Sequence, residues 1–539
     1  MGTLQEDIGE IFKKEGMDGL RALPGIGKTI AERIKEYIET GRMGKYDELK
    51  KKYPVDFISL TKIQGMGSKK AYKLYSALGV RNVEELKKAV AQHKVRGLPG
   101  FGARSEGEIG KGIERLEATK GRMLLGVALP EAEAIIEKLL GSGLVDRAVV
   151  CGSTRRMRET VGDLDILVSS GKGGKVMDFV TSMQEVGSTV VKGPTKTTVM
   201  LKIGLSCDFR LVRDESFGAA VQYFTGNKSH NVKLRQIAIK KGYKLSEYGL
   251  FDKKNRNVVS GKGEEAIYER LGLDCMEPEM REDRGELDLA REHRLPRLVQ
   301  LEDIAGDLHV HSSHSDGADT FEEMADAAIK LKRRYIGFTD HTKSEHVANG
   351  MDDRKFMKYF AEIDKLNGRL DGRITLLKSG EVDILKGGAL DLNDSTLDCM
   401  DYVLASVHTN LNMGKDEMTA RVVKAIRGGR ISMLGHPTDR LIDQREQIPL
   451  DLDKVFEAAA DEGVVMEINS FPDRLDLNDE NIMRAKEYKL KFSINTDAHR
   501  TSNLQFTRYG IGMAKRGWLT KADVINTMKL KDLMKVLKK

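Results

Sequence analysis

The distribution of histidine constrains the fold of this chain more than any other feature of the sequence. Eight of the 11 histidines lie after residue 300, in short polar segments that follow apolar, strand-like runs. Helix-like stretches such as EEMADAAIKLKRR separate these runs. Because parallel strands joined by helices bring their carboxyl ends to one face, the pattern predicts an α/β barrel with a site at that face. The polar segments are GDLHVHSSHSDG (306–317), GFTDHT (337–342), SGEVDIL (379–385), ASVHTN (405–410), LGHPTD (434–439) and NTDAHR (495–500).

The same strand ends predict a metal site. A single histidine is most often a packed or exposed residue, but His-x-His with five further His-, Asp- or Glu-bearing strand ends is not explained in that way. Imidazole and carboxylate ligands together favour Zn²⁺, Mn²⁺ or Fe over Mg²⁺. We expect His93, His230, His293 and His346 to be surface or structural residues.

These segments resemble the PHP (polymerase and histidinol phosphatase) domain, which is typically a distorted seven-stranded barrel. The resemblance implies a trinuclear metal cluster and phosphodiesterase chemistry. At one ligand position, Asp316, the nearby His314 offers an alternative. The implied ligands are His309, His311, Asp316, His341, Glu381, His408, His436, Asp497 and His499.

A second polar pattern lies in GSTRRMRETVGDLDILV (152–168), where Gly-Ser is followed after nine residues by Asp163-x-Asp165. Residues two apart in a strand project to the same side, so these carboxylates repel each other unless a cation lies between them. The stretch TVMLKIGLSCDFRLV (198–212) alternates apolar and polar residues, which predicts a neighbouring strand that carries Asp208. Three carboxylates predict a site for Mg²⁺ or Mn²⁺ that serves phosphoryl transfer.

Together with YFTGNKSHNVKLRQIAIKKGYKLSEYGLF (223–251), this pattern closely resembles the palm and thumb of family X DNA polymerases. The resemblance covers residues 1 to about 275 and implies that Asp163, Asp165 and Asp208 are catalytic metal ligands. It places Arg235 on the template strand. The implied nucleotide-binding residues are Gly152, Ser153, Arg156, Gly162, Tyr223, Phe224, Gly226 and Asn231.

The N-terminal segment contains three copies of an apolar-x-Gly-apolar-Gly pattern, LPGIGKTIAERI (23–34), IQGMGSKKAYKL (63–74) and LPGFGARSEGEI (98–109). They resemble the helix-hairpin-helix motif, which binds the DNA backbone without reading bases. Residues 1–122 carry 25 Lys and Arg against 17 Asp and Glu, and this surplus of positive charge favours binding of a polyanion. In the third copy Glu106 replaces the alanine of the others. The implied DNA-binding glycines are Gly25, Gly27, Gly65, Gly67, Gly100 and Gly102.

Relatives with deoxyribose-phosphate lyase activity have a Schiff-base lysine where this chain has Arg33. A guanidinium cannot form that imine, so we predict weak or absent lyase activity unless Lys28 or Lys35 substitutes.

The predicted fold class is a multidomain α/β chain. It comprises a helix-hairpin-helix region (1–122, the remnant of an 8-kDa domain with the fingers), an α+β nucleotidyltransferase palm (123–215), a thumb (216–275), a charged linker (276–305) and a PHP distorted (β/α)7 barrel (306–539). The four scattered cysteines predict neither disulfides nor a thiolate zinc site. No signal peptide or membrane span is evident, so we expect a cytoplasmic, nucleoid-associated monomer.

The resemblances imply a polymerase that fills short gaps in base-excision repair, with gapped or nicked duplex DNA and dNTPs as partners. They imply 3′-5′ exonuclease activity of the PHP domain and allow abasic-site cleavage. One alternative is a phosphoesterase whose polymerase half only clamps DNA, although all three palm carboxylates are present. A non-enzymatic DNA scaffold would not need nine metal ligands. Transfer to RNA or a small molecule is disfavoured by the hairpins and by Tyr-Phe-Thr-Gly.

Overall fold

The computed structural model describes residues 8–23, 26–61, 63, 66–119 and 121–538. The chain divides into two compact units, Met1–Thr119 and Lys120–Lys539. Within the described ranges, no helix is long and apolar enough to cross a membrane.

The N-terminal unit is helical. Two of its helices, α2 and α5, begin directly after Gly27 and Gly67, which adopt the same extended conformation. Its helices are α1 (Ile8–Ala22, bent at Gly16), α2 (Lys28–Thr40), α3 (Gly44–Lys52), α4 (Phe57–Thr61), α5 (Ser68–Leu78), α6 (Val83–Ala91) and α7 (Ala103–Thr119).

The three repeats differ at one buried position. Ala31 and Ala71 are fully buried in the first two, and Glu106 is almost as buried in the third. The Glu106 carboxylate accepts hydrogen bonds from the backbone N–H and the guanidinium of Arg96, and it lies 3.0 Å from His93 Nδ1. Burial would raise the pKa of Glu106, but these contacts lower it to about 2. The departure from alanine is therefore a satisfied internal ion pair.

The palm region contains a five-stranded sheet in the order β2-β4-β7-β6-β5, in which β4 and β7 are parallel and the other neighbours are antiparallel. A short ribbon, β1 with β3, lies outside it. The elements are β1 (Met123–Leu124), α8 (Leu125–Gly141), β2 (Arg147–Val150), α9 (Gly152–Arg155), β3 (Thr160–Val161), β4 (Asp163–Ser169), α10 (Gly173–Ser182), β5 (Val186–Lys192), β6 (Lys196–Leu201) and β7 (Ser206–Val212).

The prediction of one continuous strand over 198–212 is wrong, because the chain reverses within it. Strand β6 ends at Leu201 and β7 begins at Ser206. Gly204, at φ +85°, allows the reversal, and its N–H donates to the Leu201 carbonyl. The alternation of buried residues survives the turn because the two strands are antiparallel neighbours that bury the same face.

The thumb region surrounds a separate apolar core. Its elements are α11 (Phe217–Thr225), α12 (Lys228–Lys240), β8 (Tyr243–Ser246), β9 (Gly249–Asp252), β10 (Val258–Ser260), α13 (Glu264–Arg270) and α14 (Glu286–Arg291).

The segment that the sequence suggests is a charged linker is packed against this core. Met276, Met280 and Leu287 belong to it, and Arg281 and Glu286 are each about 1% exposed. These buried charges are paired, Arg281 with Glu264 and Glu286 with His230. These charges of the predicted linker therefore form internal ion pairs.

The C-terminal region is a barrel of parallel strands alternating with helices. The strands are β11 (Gly306–Val310), β12 (Tyr335–Phe338), β13 (Thr375–Lys378), β14 (Glu381–Asp383), β15 (Leu404–Ser406), β16 (Met433–Leu434), β17 (Val465–Asn469) and β18 (Phe492–Asn495). The helices are α15 (Phe321–Lys330), α16 (Asp353–Leu370), α17 (Asp394–Leu397), α18 (Lys415–Arg427), α19 (Leu452–Glu462), α20 (Asp479–Glu487), α21 (Thr507–Arg516) and α22 (Leu530–Leu537).

The strands form two parallel sheets, β11-β12-β13 and β14-β15-β16-β17-β18. A bridge between His341 and Glu381 joins the sheets on one side, and a bridge between Val310 and Ala498 joins them on the other. Strands β13 and β14 are separated by only two residues and together occupy one strand position. The closed barrel therefore has seven strand positions. The predicted fold class, including the distorted barrel, is confirmed.

Candidate functional site

The three palm carboxylates lie on the two central, parallel strands of the palm sheet. Asp165 on β4 is paired in register with Asp208 on β7, and Asp163 precedes Asp165 by two residues. Direct cross-strand neighbours and residues two apart share a face, so all three side chains project to the same side. The sheet brings together the carboxylates that the sequence predicted.

The electrostatics of this trio fit a divalent cation. Burial raises the pKa of Asp165 to about 6, with further contributions from Asp163 and Asp208. Burial would also raise the pKa of Asp208, but hydrogen bonds from Lys196 and Thr198 lower it overall. A hard cation such as Mg²⁺ would relieve the mutual repulsion of these acids.

Lys196 and Thr198 were not predicted as site residues. Thr198 pairs in register with Asp208, and its hydroxyl donates to Asp208 Oδ1 at 2.5 Å. Lys196 Nζ lies 2.9 Å from Asp208 Oδ2. The sequence signal was the period-two spacing of Lys196 and Thr198 on β6, which the unrecognised hairpin concealed.

Gly152 forms the turn beside these carboxylates. It has φ +61°, and a Cβ at this position would collide with the Asp165 carboxylate. Only glycine allows the backbone that leads into Ser153 to lie directly against Asp165.

A cavity of about 380 Å³ opens above the carboxylates. It contains all predicted nucleotide-binding residues except Gly162, which lies between β3 and β4. Arg235, predicted on the template strand, lines the same cavity, and Asn227 and Lys228 are additions that the sequence analysis did not single out. The lining is Gly152, Ser153, Arg156, Asp163, Asp165, Tyr223, Phe224, Gly226, Asn227, Lys228, Asn231 and Arg235.

Several side chains of this wall are held in place. Asn231 accepts a hydrogen bond from Gln222 and donates one to the Tyr223 carbonyl, both at 2.7 Å. The rings of Tyr223 and Phe224 make an edge contact with centroids 5.1 Å apart. Arg156 donates from Nε to Glu282 and from Nη1 to the carbonyl of Thr225.

In the barrel, the predicted ligands lie at the carboxyl ends of the strands. Eight of the nine fall into three groups whose ligand atoms lie within 4.8 Å of one another. His436 lies outside these groups, with Nε2 2.7 Å from Glu381 Oε1. The groups are His311, Asp316, His341 and His499; His309, His311 and Asp497; and His341, Glu381 and His408.

The polar atoms of this cluster fit metal ions. The Nδ1 atoms of His311, His341, His408 and His436 are buried and make no hydrogen bond within the protein. His309 Nε2 and His311 Nε2 approach to 3.1 Å. Nitrogen atoms that are buried, unpartnered and convergent are costly unless they ligate a cation.

Glu381 lies at the centre of the cluster. Its Oε1 is 3.1 Å from His408 Nε2, and its Oε2 is 3.2 Å from His341 Nδ1 and 3.4 Å from His309 Nε2. Burial would raise the pKa of Glu381, but the surrounding imidazoles hold it well below its usual range.

The structure distinguishes between Asp316 and His314. Asp316 Oδ2 lies 3.2 Å from His499 Nε2, inside the cluster. His314 instead stacks on Phe321 and contacts Glu362 at 3.0 Å. The carboxylate, not the imidazole, is therefore available to a metal here.

Further residues around the cluster were missed by sequence reasoning. Fully buried Glu467 on β17 lies 2.8 Å from His309 Nδ1 and accepts the backbone N–H of His436. This contact orients His309 Nε2 toward the cluster. Arg445 and Arg474 line the cavity of about 360 Å³ beside the cluster, and both pair with Asp439, at 2.7 and 2.9 Å. A carboxylate within a strand-end segment was the available signal for Glu467; isolated arginines gave none.

The remaining histidines occupy other environments. His230 is fully buried between Glu286 and Tyr268. His293 is exposed and contacts Asp274, and His346 lies in a short 3-10 turn.

Of the hairpin glycines, Gly25 and Gly65 lie outside the described residues. A Cβ on Gly27, Gly67 or Gly102 would meet no atom within 4 Å, whereas Gly100 has φ +81°. Arg33 is exposed on α2, and the expected lack of lyase activity stays a prediction.

Three family models match the chain. They are the SAM-like helix-hairpin-helix tandem at residues 57–113, the DNA polymerase beta thumb at 220–282 and the PHP domain at 307–471. The helix-hairpin-helix and PHP matches lie within the predicted regions, and the thumb match begins in the predicted thumb and extends seven residues into the predicted linker.

Known proteins resemble the chain over different lengths. DNA polymerase lambda of Arabidopsis thaliana is 29% identical over 50% of this chain and 54% of its own length. A solved ternary complex of Leishmania infantum polymerase beta is 24% identical, with a TM-score of 0.29, over 42% of this chain and 97% of that chain. The DNA polymerase/3′-5′ exonuclease PolX of Bacillus subtilis (strain 168) is 37% identical over 97% of this chain and 92% of its own length. With the palm carboxylates and the barrel cluster on one chain, this near full-length likeness shows that the protein belongs to the family X DNA polymerases that carry a C-terminal PHP domain.

Proposed function

We propose that this protein fills short gaps in DNA during base-excision repair and trims 3′ ends with its barrel. The observation that carries the polymerase half is the cavity above Asp163 and Asp165, with Asp208 in register beside them. Such an arrangement suits nucleotidyl transfer from a dNTP to a primer 3′-hydroxyl, which depends on positioning and on charge neutralisation.

Each part of the cavity has a role in this proposal. Ser153 and Arg156 bind the triphosphate, and the paired rings of Tyr223 and Phe224 lie along the sugar. Asn231, held by Gln222, contacts the incoming base. The carboxylates hold Mg²⁺ or Mn²⁺, which when bound neutralises charge on the triphosphate.

The barrel is proposed to be a 3′-5′ exonuclease that also accepts abasic sites. Its nine ligands suit Zn²⁺, Mn²⁺ or Fe, ions that polarise a phosphodiester and lower the pKa of water when bound. Arg445 and Arg474, which line this cavity and share the Asp439 carboxylate, are proposed to contact the phosphodiester.

The proposed substrate is gapped or nicked duplex DNA, and the proposed location is the cytoplasm, at the nucleoid. The helix-hairpin-helix glycines contact the DNA backbone. The surplus of positive charge in residues 1–122 favours binding of the negatively charged DNA. We propose that the protein acts as a monomer.

The test uses a labelled primer on a one-nucleotide gap with divalent metal, with dNTPs supplied or withheld. Asp165→Ala is expected to lower extension by on the order of 10³-fold and to leave 3′ shortening intact. His309→Ala is expected to do the reverse. Asp178→Ala, at an exposed palm aspartate paired with Lys192, is the matched control for both activities.

Two outcomes would contradict the assignment. If the wild type shortens primers but never extends them, the polymerase half is only a DNA clamp. If Asp165→Ala loses both activities while it remains folded, the two sites are not independent.

A further inference from the structure

We infer that Arg516, a residue of the barrel region, is a positioning residue for the nucleotide cavity of the palm. It acts through Glu282, whose carboxylate holds two residues of the cavity wall. The inference rests on the proposed function, in which Arg156 binds the triphosphate.

Glu282 joins the cavity wall to the barrel. Its Oε1 accepts from Arg156 Nε at 3.0 Å and from Arg516 Nη1 at 2.8 Å, and its Oε2 accepts from Asn227 Nδ2 at 2.8 Å. Arg156 and Asn227 both line the cavity. One buried carboxylate therefore sets the position of two wall residues.

Arg516 is itself fixed by three acceptors. Nη1 also donates to the backbone carbonyl of Arg156 at 2.9 Å, and Nη2 donates to Asp479 at 2.6 Å. The side chain is 2% exposed. The planar fork of arginine satisfies these separate acceptors at once, which a lysine could not do.

The backbone of α21 brings Arg516 to this position. Gly512, one turn earlier, lies so close to Met157 that a Cβ would approach the Met157 side chain to 2.8 Å. Met157 directly follows Arg156, so the helix packs against the turn that carries the cavity arginine.

The charges explain why a second arginine is needed. With Arg156 alone, Glu282 would neutralise the guanidinium that the triphosphate requires. Arg516 shares that carboxylate, and Asp479 is in turn shared with Arg284 at 3.1 Å. Arg158 lies 3.9 Å from Glu282 and Glu480 lies 3.7 Å from Arg284, so the network of four arginines and three carboxylates keeps a net positive charge beside the cavity. Burial would raise the pKa of Glu282, but Arg516 and Arg156 lower it to about 2, so it stays ionised.

The chain offers a matched control on the same helix. Arg508 also lies on α21 and also crosses to the palm, where it pairs with Glu133 at 2.9 Å. Glu133 belongs to α8 and does not line the cavity. Arg508→Gln therefore removes a more exposed ion pair between barrel and palm without touching Glu282.

The experiment measures kcat and KM for the templated dNTP on a one-nucleotide gap, using the full chain. Arg516→Gln is expected to raise KM about tenfold with a much smaller change in kcat. The reason is that the variant displaces Arg156 from its position in the cavity wall but does not remove it. Arg508→Gln is expected to leave KM unchanged. In an Arg156→Gln background, Arg516→Gln should add no further increase, as expected for residues that act through one contact.

An unchanged KM in Arg516→Gln, an equal increase in Arg508→Gln, or full additivity with Arg156→Gln would overturn the inference. The 3′ shortening activity and the thermal transition report whether each variant folds. If Arg516→Gln does not fold, Arg516→Lys takes its place, and a KM equal to wild type then overturns the inference. If the wild type does not extend primers, the proposed function fails by itself, and binding of a fluorescent dATP analogue with Mg²⁺ gives the same comparison among variants.

Discussion

The palm carboxylates and the barrel cluster are both sets of metal-ligating side chains, but they differ in burial and in donor type. Asp163 is exposed and Asp165 and Asp208 are half-buried beside an open cavity. In the barrel, His309, His311 and Glu381 are almost completely buried, and imidazole nitrogens predominate. The palm set comprises three carboxylates, whereas the barrel set comprises nine candidate ligands, six of them histidines.

This difference indicates how each site uses its ions. The palm candidates are all carboxylates, so we expect water and the triphosphate to complete the coordination of a hard ion, which can then exchange with each nucleotide. The barrel buries its unpartnered nitrogens, so a metal-free barrel would leave these groups unsatisfied. We therefore expect resident ions in the barrel and transient ions in the palm.

The largest expected effect is that of Glu381→Gln. Glu381 contacts five imidazoles, so loss of its charge should remove metal from the barrel and lower 3′ shortening by on the order of 10³-fold. Extension should be unaffected. Metal content per chain, measured by plasma mass spectrometry after gel filtration in metal-free buffer, checks the physical cause independently of activity.

Glu362→Gln is the control for this change, because Glu362 contacts His314 outside the cluster. Asp165→Ala should retain the metal content of the wild type. Loss of metal from Asp165→Ala, or retention of metal in Glu381→Gln, would erase the distinction between resident and transient ions.

A smaller effect is expected on stability in the palm. The pKa of Asp165 is about 6 in the folded protein against an ordinary value of 3.8. A raised pKa means that the folded state favours the protonated carboxyl group. Ionisation of Asp165 therefore lowers the stability of the protein as the pH rises from about 4 to 6, and above pH 6 the full loss of stability is present. Asp165→Asn should therefore stabilise the protein at pH 8 by about 2 kcal/mol, after a discount for partial exposure.

Thermal melts at pH 4 and pH 8, without added Mg²⁺, check this prediction. The gain should vanish near pH 4, and Asp178→Asn, at an exposed palm aspartate, should show no gain at either pH. Added Mg²⁺ should stabilise the wild type more than Asp165→Asn. A gain of equal size at both pH values would contradict the electrostatic cause.

Much of both sites could be predicted from the sequence because their residues lie at ends of regular elements. The spacing of Asp163 and Asp165 fixes a shared face, and the barrel brings strand ends such as those of His309 and His436 together. The alternation of residues 198–212 placed Asp208 on a neighbouring strand. These features depend on local periodicity, which a single sequence displays.

The parts that could not be predicted depend on long-range pairing. The contact between Glu282 and Arg516 joins residues 234 positions apart, and nothing near either residue marks it. For the same reason, the sequence predicted a charged linker over 276–305 and not the contacts of Arg281 with Glu264 and of Glu286 with His230. A tight turn at Gly204 hid the hairpin because buried alternation continued across it.

The smallest expected effect asks whether the two sites act on one bound DNA. Gly67 has ordinary φ and ψ values, and a side chain there would meet no protein atom within 4 Å. Gly67→Val should therefore leave folding unchanged but hinder approach of the DNA backbone, and weaken binding of gapped DNA about three- to tenfold. Fluorescence anisotropy at low salt measures this change, with Gly107→Val, on the exposed side of α7, as the control.

The effect of Gly67→Val on extension and on 3′ shortening, both measured at subsaturating DNA, tests whether the palm and the barrel share one bound DNA. If the palm and the barrel act on one docked duplex, Gly67→Val should lower extension and 3′ shortening by the same factor. If extension alone falls, the barrel binds its own DNA end, and Arg445 and Arg474, which line its cavity, would contribute to that binding. The helix-hairpin-helix region would then bind DNA only for the palm site. The barrel would differ from the palm both in how it binds DNA and in how it holds its metal ions.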